Sequence, residues 1–448
     1  MIQDYMALVQ NYIFHIQEAL WGFPMICLVA GTAAITSVAL GFVQFTGFFT
    51  AIKTVFGGKS DGKGEINSMQ AFLKVLSTGL GNGALAGVAM AVHQGGPGAA
   101  FWIFAVGFLG MILRFCEVFL ANMFSGVSKT GRSLGGPFLY LQKIPGGSFL
   151  PTVYAVFCLG YGLFSGSAMQ CNSIRSTVTS MIDVSPVIIA VILTSFIAYT
   201  LLGGARRIVK VNGIIVPLKV ILFFAMSLGV FIFHWAALPA AIMLILKSAF
   251  TQQACLGGLC GVAVQRIISL SLTRAINASE SGLGTAGIVY GATGSSTMYS
   301  NGLSAMFGTF VSVQLVCTMV AVSIVVSGAL GTGATGAALT SAAFQTVFGQ
   351  AGGWATALLS VLFGMGVFIA YGFIGRECWL YLTNDRFEHG FTVLFCAVSF
   401  WGSISDAPVV WAVVDIMTAG CFVINLFAIL WLLPQIRKAF NVAVKKGS

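Results

Sequence analysis

Long apolar blocks alternate with short polar connections along the whole chain. A helix of roughly 20 apolar residues crosses a bilayer. On that measure eleven spans are expected, near 22–48, 69–92, 98–124, 149–173, 185–203, 208–234, 250–272, 302–327, 354–375, 391–404 and 408–434. Residues 238–249 read either as the outer half of the seventh span or as a separate interfacial helix, and residues 1–18 as an amphipathic surface helix. Two spans break the pattern. The second carries Gly79, Gly81 and Gly83 around a polar Asn82, and the seventh carries Leu256-Gly257-Gly258-Leu259-Cys260-Gly261. In hydrocarbon, an interrupted helix leaves main-chain N–H and C=O groups unpaired, so interruptions persist only where they are buried in protein or line a cavity. Gly83-x-x-x-Gly87 also suits a close helix contact, but the matching run in the other half favours two breaks around one central site.

Composition agrees with this picture. The chain has 448 residues, 58% hydrophobic and 8% charged, which points to an all-α polytopic membrane protein. The net charge of +10 is spread between apolar blocks and forms no nucleic-acid patch. Lys53, Lys59, Lys63, Lys129, Arg132, Lys143, Arg206, Arg207, Lys210, Arg274, Arg376, Arg386, Arg437, Lys438, Lys445 and Lys446 fall on one set of alternate connections; Arg175 falls on the other, with Lys247 the one further candidate. Basic residues concentrate on the cytoplasmic side. The expected orientation is therefore N-terminus outside and C-terminus in the cytoplasm, in a plasma membrane (the inner membrane of a bacterium). The ten cysteines are scattered singly and read as buried hydrophobes. The first span has no signal-peptide pattern.

Without the first span, ten remain, five plus five. An odd number per half means that the second half enters from the opposite side, the arithmetic of an inverted repeat. The expected organisation is an N-terminal segment and extra helix (1–50), a first repeat (69–234), a second (238–434) and a basic tail (435–448).

"GNGALAGVAMAVHQGGPGAAFW" followed by "GMILRFCEVFLA" resembles the alanine or glycine:cation symporter family, the sodium:alanine symporters. "GGPFLY" at 135–140, "QCNSI" at 170–174, "GGARRI" at 203–208, "GGLCG" at 257–261, "ASESGLGTA" at 278–286 and "LVCTM" at 315–319 follow in the same order. The resemblance implies the leucine-transporter fold, with core helices one and six unwound around an amino acid. It also implies sodium-driven uptake of alanine or glycine, in the L or D form. By matched position, the substrate would meet Gly81, Asn82, Gly83 and Ala84 at one break and Gly257, Gly258 and Gly261 at the other. Gln170 matches a pocket glutamine on core helix three, and Tyr371 stands for a common Trp on core helix eight. Phe250 and Tyr371 would wall off larger ligands.

The chain also departs from that pattern. Sodium-coupled members of the fold hold one Na⁺ between core helices one and eight with hydroxyl oxygens, and Gly366 and Val367 offer none there. Lys219 stands where the family has an apolar residue. It lies nine residues beyond Lys210 and so ~14 Å deeper along a helix. An ammonium at that depth costs at least ~2.5–3.5 kcal/mol without compensation. Lys219 is therefore expected to replace the sodium ion, as a fixed charge or by exchanging a proton, since desolvation disfavours a charged lysine. A lysine paired within the bundle, or reaching for the interface, is the alternative.

Arg114 and Glu117 share a helix face and read as a structural or gating ion pair. Asp415 is expected near the outer end of the last span, facing the vestibule, pairing with a lysine or carrying a proton. Asn425 suits interhelical hydrogen bonding, and Glu280 a gate or cap in a cytoplasmic loop. The four histidines do not cluster, so no metal site and no cofactor beyond a coupling sodium or proton is expected. The expected partners are a small neutral amino acid and the lipid bilayer, with no nucleic acid and no obligate protein partner. A channel would need a continuous polar stripe or charged rings, and an enzyme a catalytic cluster or phosphate loop. Neither is present, so a secondary transporter is the reading.

Overall fold

The computed structural model describes residues 2–57, 68–127, 133–250, 260–291 and 298–447. The helices are α1 (Ile2–Leu20), α2 (Phe23–Ala39), α3 (Phe48–Phe56), α4 (Ser68–Gly79), α5 (Val88–Gly95), α6 (Ala99–Met123), α7 (Leu150–Leu163), α8 (Met169–Thr179), α9 (Pro186–Leu202) and α10 (Gly204–Phe233). They continue with α11 (Leu238–Phe250), α12 (Cys260–Ser279), α13 (Thr285–Gly291), α14 (Met298–Thr309), α15 (Thr318–Val326), α16 (Gly336–Phe348), α17 (Gln350–Leu382), α18 (Glu388–Ile404) and α19 (Ala407–Gly447). A two-residue antiparallel ladder, Gly126–Val127 with Ser133–Leu134, interrupts this all-helical architecture. Among the described residues, eight stretches are long and apolar enough to span a membrane. The other three expected spans coincide with the shorter α9 and α18 and the less apolar α12. Residues 238–250 form a helix of their own, tied to α6 by Trp102 Nε1, which donates to the Ala249 carbonyl.

Lipid-type surfaces and a packed centre divide the bundle. Leu202, Ile221, Ile232 and Val393 are exposed, as suits side chains bathed in acyl tails, whereas nearly all of α6 beyond Gly110 is buried. α6 packs on α12 and α14, and α17 on α7, α8, α10 and α16. Glycines set the closest approaches. A Cβ on Gly98 would stand 2.4 Å from the Ser248 carbonyl oxygen, and one on Gly402 2.3 Å from the Ala168 Cα. Three wide π-helical turns, Gly83–Gly87, Phe164–Ala168 and Phe310–Cys317, lie within otherwise α-helical spans. Such turns free carbonyls and re-aim side chains, commonly at functional sites.

The first break lies where the glycines around Asn82 predict it. α4 ends at Gly79 and the chain resumes through the Gly83–Gly87 turn into α5. The second expected break, at the 256–261 glycine run, falls on residues that lie almost entirely outside the described ones, between α11 and α12. Gly257 and Gly258 lie outside the described residues, and Gly261 is in the first turn of α12, which continues to Ser279. Among the described residues a second interruption falls between α12 and α13, where Glu280, Gly282 and Gly284 take positive φ of 58°, 83° and 84°. Alternating left-handed residues cannot continue a right-handed helix. The two breaks adjoin: a Cβ on Gly83 would stand 3.2 Å from the Asn277 carbonyl oxygen.

Gly98→Ala therefore forces α6 away from backbone and is expected to destabilise the protein by about 1–3 kcal/mol. Gly31→Ala on α2, with nothing within 4 Å of its Cβ, is expected to be neutral or stabilising by up to about 1 kcal/mol. Melting temperatures of the two purified variants check the contrast.

Candidate functional site

The turn Ser77–Asn82 is held by side chains from three other helices. The Asn82 N–H donates to Gln170 Oε1 (3.0 Å), its Nδ2 donates to the Ser360 carbonyl (3.0 Å), and Ser360 Oγ donates back to Asn82 Oδ1 (2.8 Å). Gln170 Nε2 donates in turn to the Ser165 carbonyl in the second π turn (3.0 Å). Asn82 and Gln170 thus stitch the first break to α8 and α17. Gly81 has no room for a side chain, since its Cβ would fall 2.6 Å from Val367 Cγ2. Ala84 is fully buried in the Gly83–Gly87 turn.

Interrupting α4 frees its last carbonyls, and Lys219 of α10 takes them. Its ammonium donates to the Ser77 carbonyl (3.0 Å), the Leu80 carbonyl (2.9 Å) and Ser77 Oγ (3.2 Å), and lies 5.4 Å from the Phe363 ring centroid. All three of its N–H bonds are matched by oxygens, with a ring face beside them. Lys219 is wholly buried and does not reach toward the interface. Gly366 provides the space: a Cβ there would lie 2.7 Å from Lys219 Nζ and 2.4 Å from Ser77 Oγ. The lysine and the glycine are fitted to each other.

The second break has its own clamp. Arg114 donates to Glu117 and to the Ser279 carbonyl, while Glu117 Oε2 accepts the Gly284 N–H (2.8 Å). The ion pair foreseen on α6 therefore grips both ends of the interrupted segment. Asn425 Nδ2 donates to the Gly282 carbonyl (2.8 Å) and Tyr154 to the Leu283 carbonyl (2.7 Å). Glu280 belongs to this buried break and not to an exposed loop; it is 3% exposed and lies beside Thr78 and Tyr371. Tyr371 packs into the groove opened by Gly162 and Gly166, 5.5 Å from the Tyr161 ring. The hydroxyls of Tyr161 and Tyr371 are buried without a hydrogen bond of good geometry, near Glu280. Tyr161 lies beside Ser165 and Tyr371, and Tyr371 beside Glu280, so the two hydroxyls join a buried polar cluster at the helix breaks.

Two expected residues lie apart from this centre. Phe250 is 58% exposed and stacks on Phe101 and Trp102 at the periphery, so it walls no pocket here. Asp415 is fully buried and pairs with an arginine, Arg274 of α12 (2.9 and 3.2 Å), with Asn277 Nδ2 at 2.6 Å and Gln17 Nε2 at 2.8 Å. Arg274, expected on a cytoplasmic connection, instead lies buried within α12 on Asp415, and Asn277, Ser360 and Tyr161 were not legible as site residues. Each is an ordinary polar residue at a helical position, and only the packing reveals its partner. Among the described residues no group of three His, Cys, Asp or Glu side chains is placed to hold a metal ion, and the cysteines are unpaired.

Glu117→Ala removes one partner of a buried pair and is expected to destabilise the protein by about 3–5 kcal/mol. Glu117→Gln keeps an acceptor for the Gly284 N–H and is expected to lose less. Thermal unfolding of the purified variants orders them.

Residues 6–446 match the sodium:alanine symporter family. An uncharacterised transporter of Haemophilus influenzae is 31% identical over 427 residues, covering 95% of this chain and 94% of its own. The sodium/alanine symporter AgcS of Methanococcus maripaludis is 30% identical over 451 residues, covering 98% of each. Among solved structures, a substrate-bound outward-open Na⁺-coupled sialic acid symporter aligns with a TM-score of 0.43 at 14% identity, covering 92% of this chain and 83% of its own. The chain belongs to the sodium:alanine symporter family: it is a multi-pass membrane transporter, a cation-coupled amino-acid symporter and not an enzyme.

Proposed function

We propose that this symporter takes up a small neutral amino acid, alanine or glycine, by alternating access, with Lys219 standing in place of a sodium ion at the first helix break. The observation that carries this reading is the Lys219 ammonium on the Ser77 and Leu80 carbonyls, directly opposite Gly366. Freed carbonyls at a half-helix C-terminus are cation ligands. Na⁺ is a hard cation that wants oxygen donors, and here two carbonyls and a hydroxyl already serve an ammonium, while Gly366 and Val367 supply no oxygen side chain. A fixed ammonium gives sodium-independent uptake; one that exchanges its proton gives proton-driven uptake.

The cargo site lies between the breaks, among Gly81, Asn82, Gly83, Ala84, Glu280 and the hydroxyls of Tyr161 and Tyr371. Glycine and alanine keep this region closely packed, so it opens to a compact zwitterion only when the helices move apart. The interruption at Glu280–Gly284 adds to this site beside Gly257, Gly258 and Gly261, which keep the role the family resemblance implies. Gln170, whose polar ends both serve the protein, acts by positioning the Asn82 turn. The Arg114–Glu117 clamp keeps the second break open, and Arg274–Asp415 fastens α12 to the last helix. The orientation has the N-terminus outside and the C-terminus cytoplasmic, in the plasma membrane.

Alanine and glycine uptake into proteoliposomes, with sodium and proton gradients imposed separately, tests the reading. Uptake is expected without a sodium drive, and Lys219→Met is expected to reduce it by at least about tenfold, the scale of one lost charged hydrogen bond. A variant that transports as the wild type does, with unchanged pH dependence, overturns the role of Lys219. Absence of alanine and glycine uptake under every gradient overturns the cargo.

A further inference from the structure

Two acids, Glu117 and Glu280, sit at the interruption between α12 and α13 within the field of one arginine, Arg114. They are not served alike. Glu117 takes the Arg114 guanidinium, the Gly284 N–H (2.8 Å) and the Gly282 N–H. Charged and amide donors of that kind hold a carboxyl in its ionised form. Among the described residues, the hydrogen-bond partners of Glu280 are hydroxyls: Thr285 Oγ1 at 3.4 Å, with Thr78 of α4 and Tyr371 of α17 beside it. Arg114 turns its Nη atoms to Glu117 and to the Ser279 carbonyl instead. Once Arg114 and Glu117 have cancelled, an ionised Glu280, only 3% exposed, would leave an uncompensated negative charge in a dehydrated interior.

The Thr78 hydroxyl shows where the proton sits. Its single O–H donates to the Val75 carbonyl (2.8 Å). Toward Glu280 it therefore presents a lone pair. A lone pair repels a carboxylate oxygen, whereas the O–H of a neutral carboxyl donates to it. The other titratable and charged groups around Glu280 are already engaged or neutral. Arg114 and Glu117 of α6 serve each other, and Tyr161 of α7 and Tyr371 of α17 bring phenols. Lys219 of α10 is committed to the Ser77 and Leu80 carbonyls on the other side of the first break.

We propose that Glu280 is the proton-binding site of this symporter: in the closed state its carboxyl carries a proton that it donates to Thr78, and this proton travels with the amino acid while Lys219 remains a fixed charge. The proposal rests on the amino-acid cargo and on the place of Lys219 argued above. Thr78 belongs to the helix that ends at the first break and Glu280 to the second, so the proton joins the two breaks across the cargo site. When the helices part, water reaches the carboxyl, the proton passes to it, and the two breaks are no longer tied.

Infrared difference spectra of the purified full chain, wild type against Glu280→Gln at neutral pH, are expected to show the C=O stretch of a protonated carboxyl that shifts in D2O, and Glu117→Gln is expected to retain that band. Absence of the band from the wild type means an ionised Glu280 and overturns the proposal. In proteoliposomes, Glu280→Gln copies the neutral acid as a donor to Thr78. It is expected to keep alanine counterflow and to lose the alanine-linked proton entry that a trapped pH dye reads in the wild type. Thr78→Val leaves the acid in place and removes the acceptor of its proton. The pH of half-maximal uptake is expected to fall by about one unit, the scale of one hydrogen bond lost by the protonated form. A midpoint that stays put, or rises because Thr78 was donating to a carboxylate, overturns the proposal even where Glu280→Gln does not fold. Wild-type alanine uptake without proton entry, or undiminished proton entry in Glu280→Gln, overturns the coupling. No alanine or glycine uptake under any gradient overturns the cargo and leaves the Glu280 proton to the infrared band.

Discussion

Main-chain polar groups in a dehydrated interior must find partners, and the centre of this protein follows from that demand. Each helix that stops short inside the bundle strands carbonyls at one end and amides at the other, at several kcal/mol apiece when unmatched. The stranded groups here are met by charged or amide side chains from neighbouring helices: Lys219 on Ser77 and Leu80, Gln170 on Asn82, Arg114 and Glu117 on Ser279 and Gly284, and Asn425 on Gly282. The apolar bundle is the solvent that makes these contacts strong and their absence costly. Placing two such breaks side by side concentrates oriented dipoles in one small volume, and a transporter for a zwitterion can be assembled from that.

How much of this was visible in the chain varies with the kind of signal. Hydropathy blocks place the helices well, because roughly 20 apolar residues per crossing is a hard physical length. The first break is legible because Gly79, Gly81 and Gly83 surround a polar Asn82 in an otherwise apolar span. The 256–261 glycine run lies almost entirely outside the described residues. The interruption at Glu280–Gly284 is harder to read from the chain, because it rests on spaced left-handed residues and composition does not report φ. Phe250 fails for a related reason: a large aromatic near a predicted break has no stated direction, and it turns to the periphery.

Lys219 and Gly366 show the opposite case, two residues whose oddity in the sequence has one shared cause in space. The depth of the lysine along α10 marks it as unusual, and the lack of a hydroxyl at position 366 marks that position independently. Packing joins them, since any side chain at 366 would intrude on the ammonium. The freed carbonyls of the first break are met by a covalently attached ammonium. Asp415, by contrast, was expected to face a vestibule, pair with a lysine or carry a proton, and it is buried against an arginine. Its partners on α1 and α12 are 398 and 141 residues away, and no local pattern announces them.

The most direct measurement of the central claim is the melting temperature of the purified protein in sodium chloride against choline chloride at equal ionic strength. A ligand that binds only the folded state stabilises it by RT ln(1 + [L]/Kd). With Lys219 already on the carbonyls of the first break, replacing choline by sodium is expected to leave the melting temperature of the wild type unmoved. A sodium-specific rise that grows with concentration would contradict the account, because the ion would then be binding a site that the ammonium is said to fill.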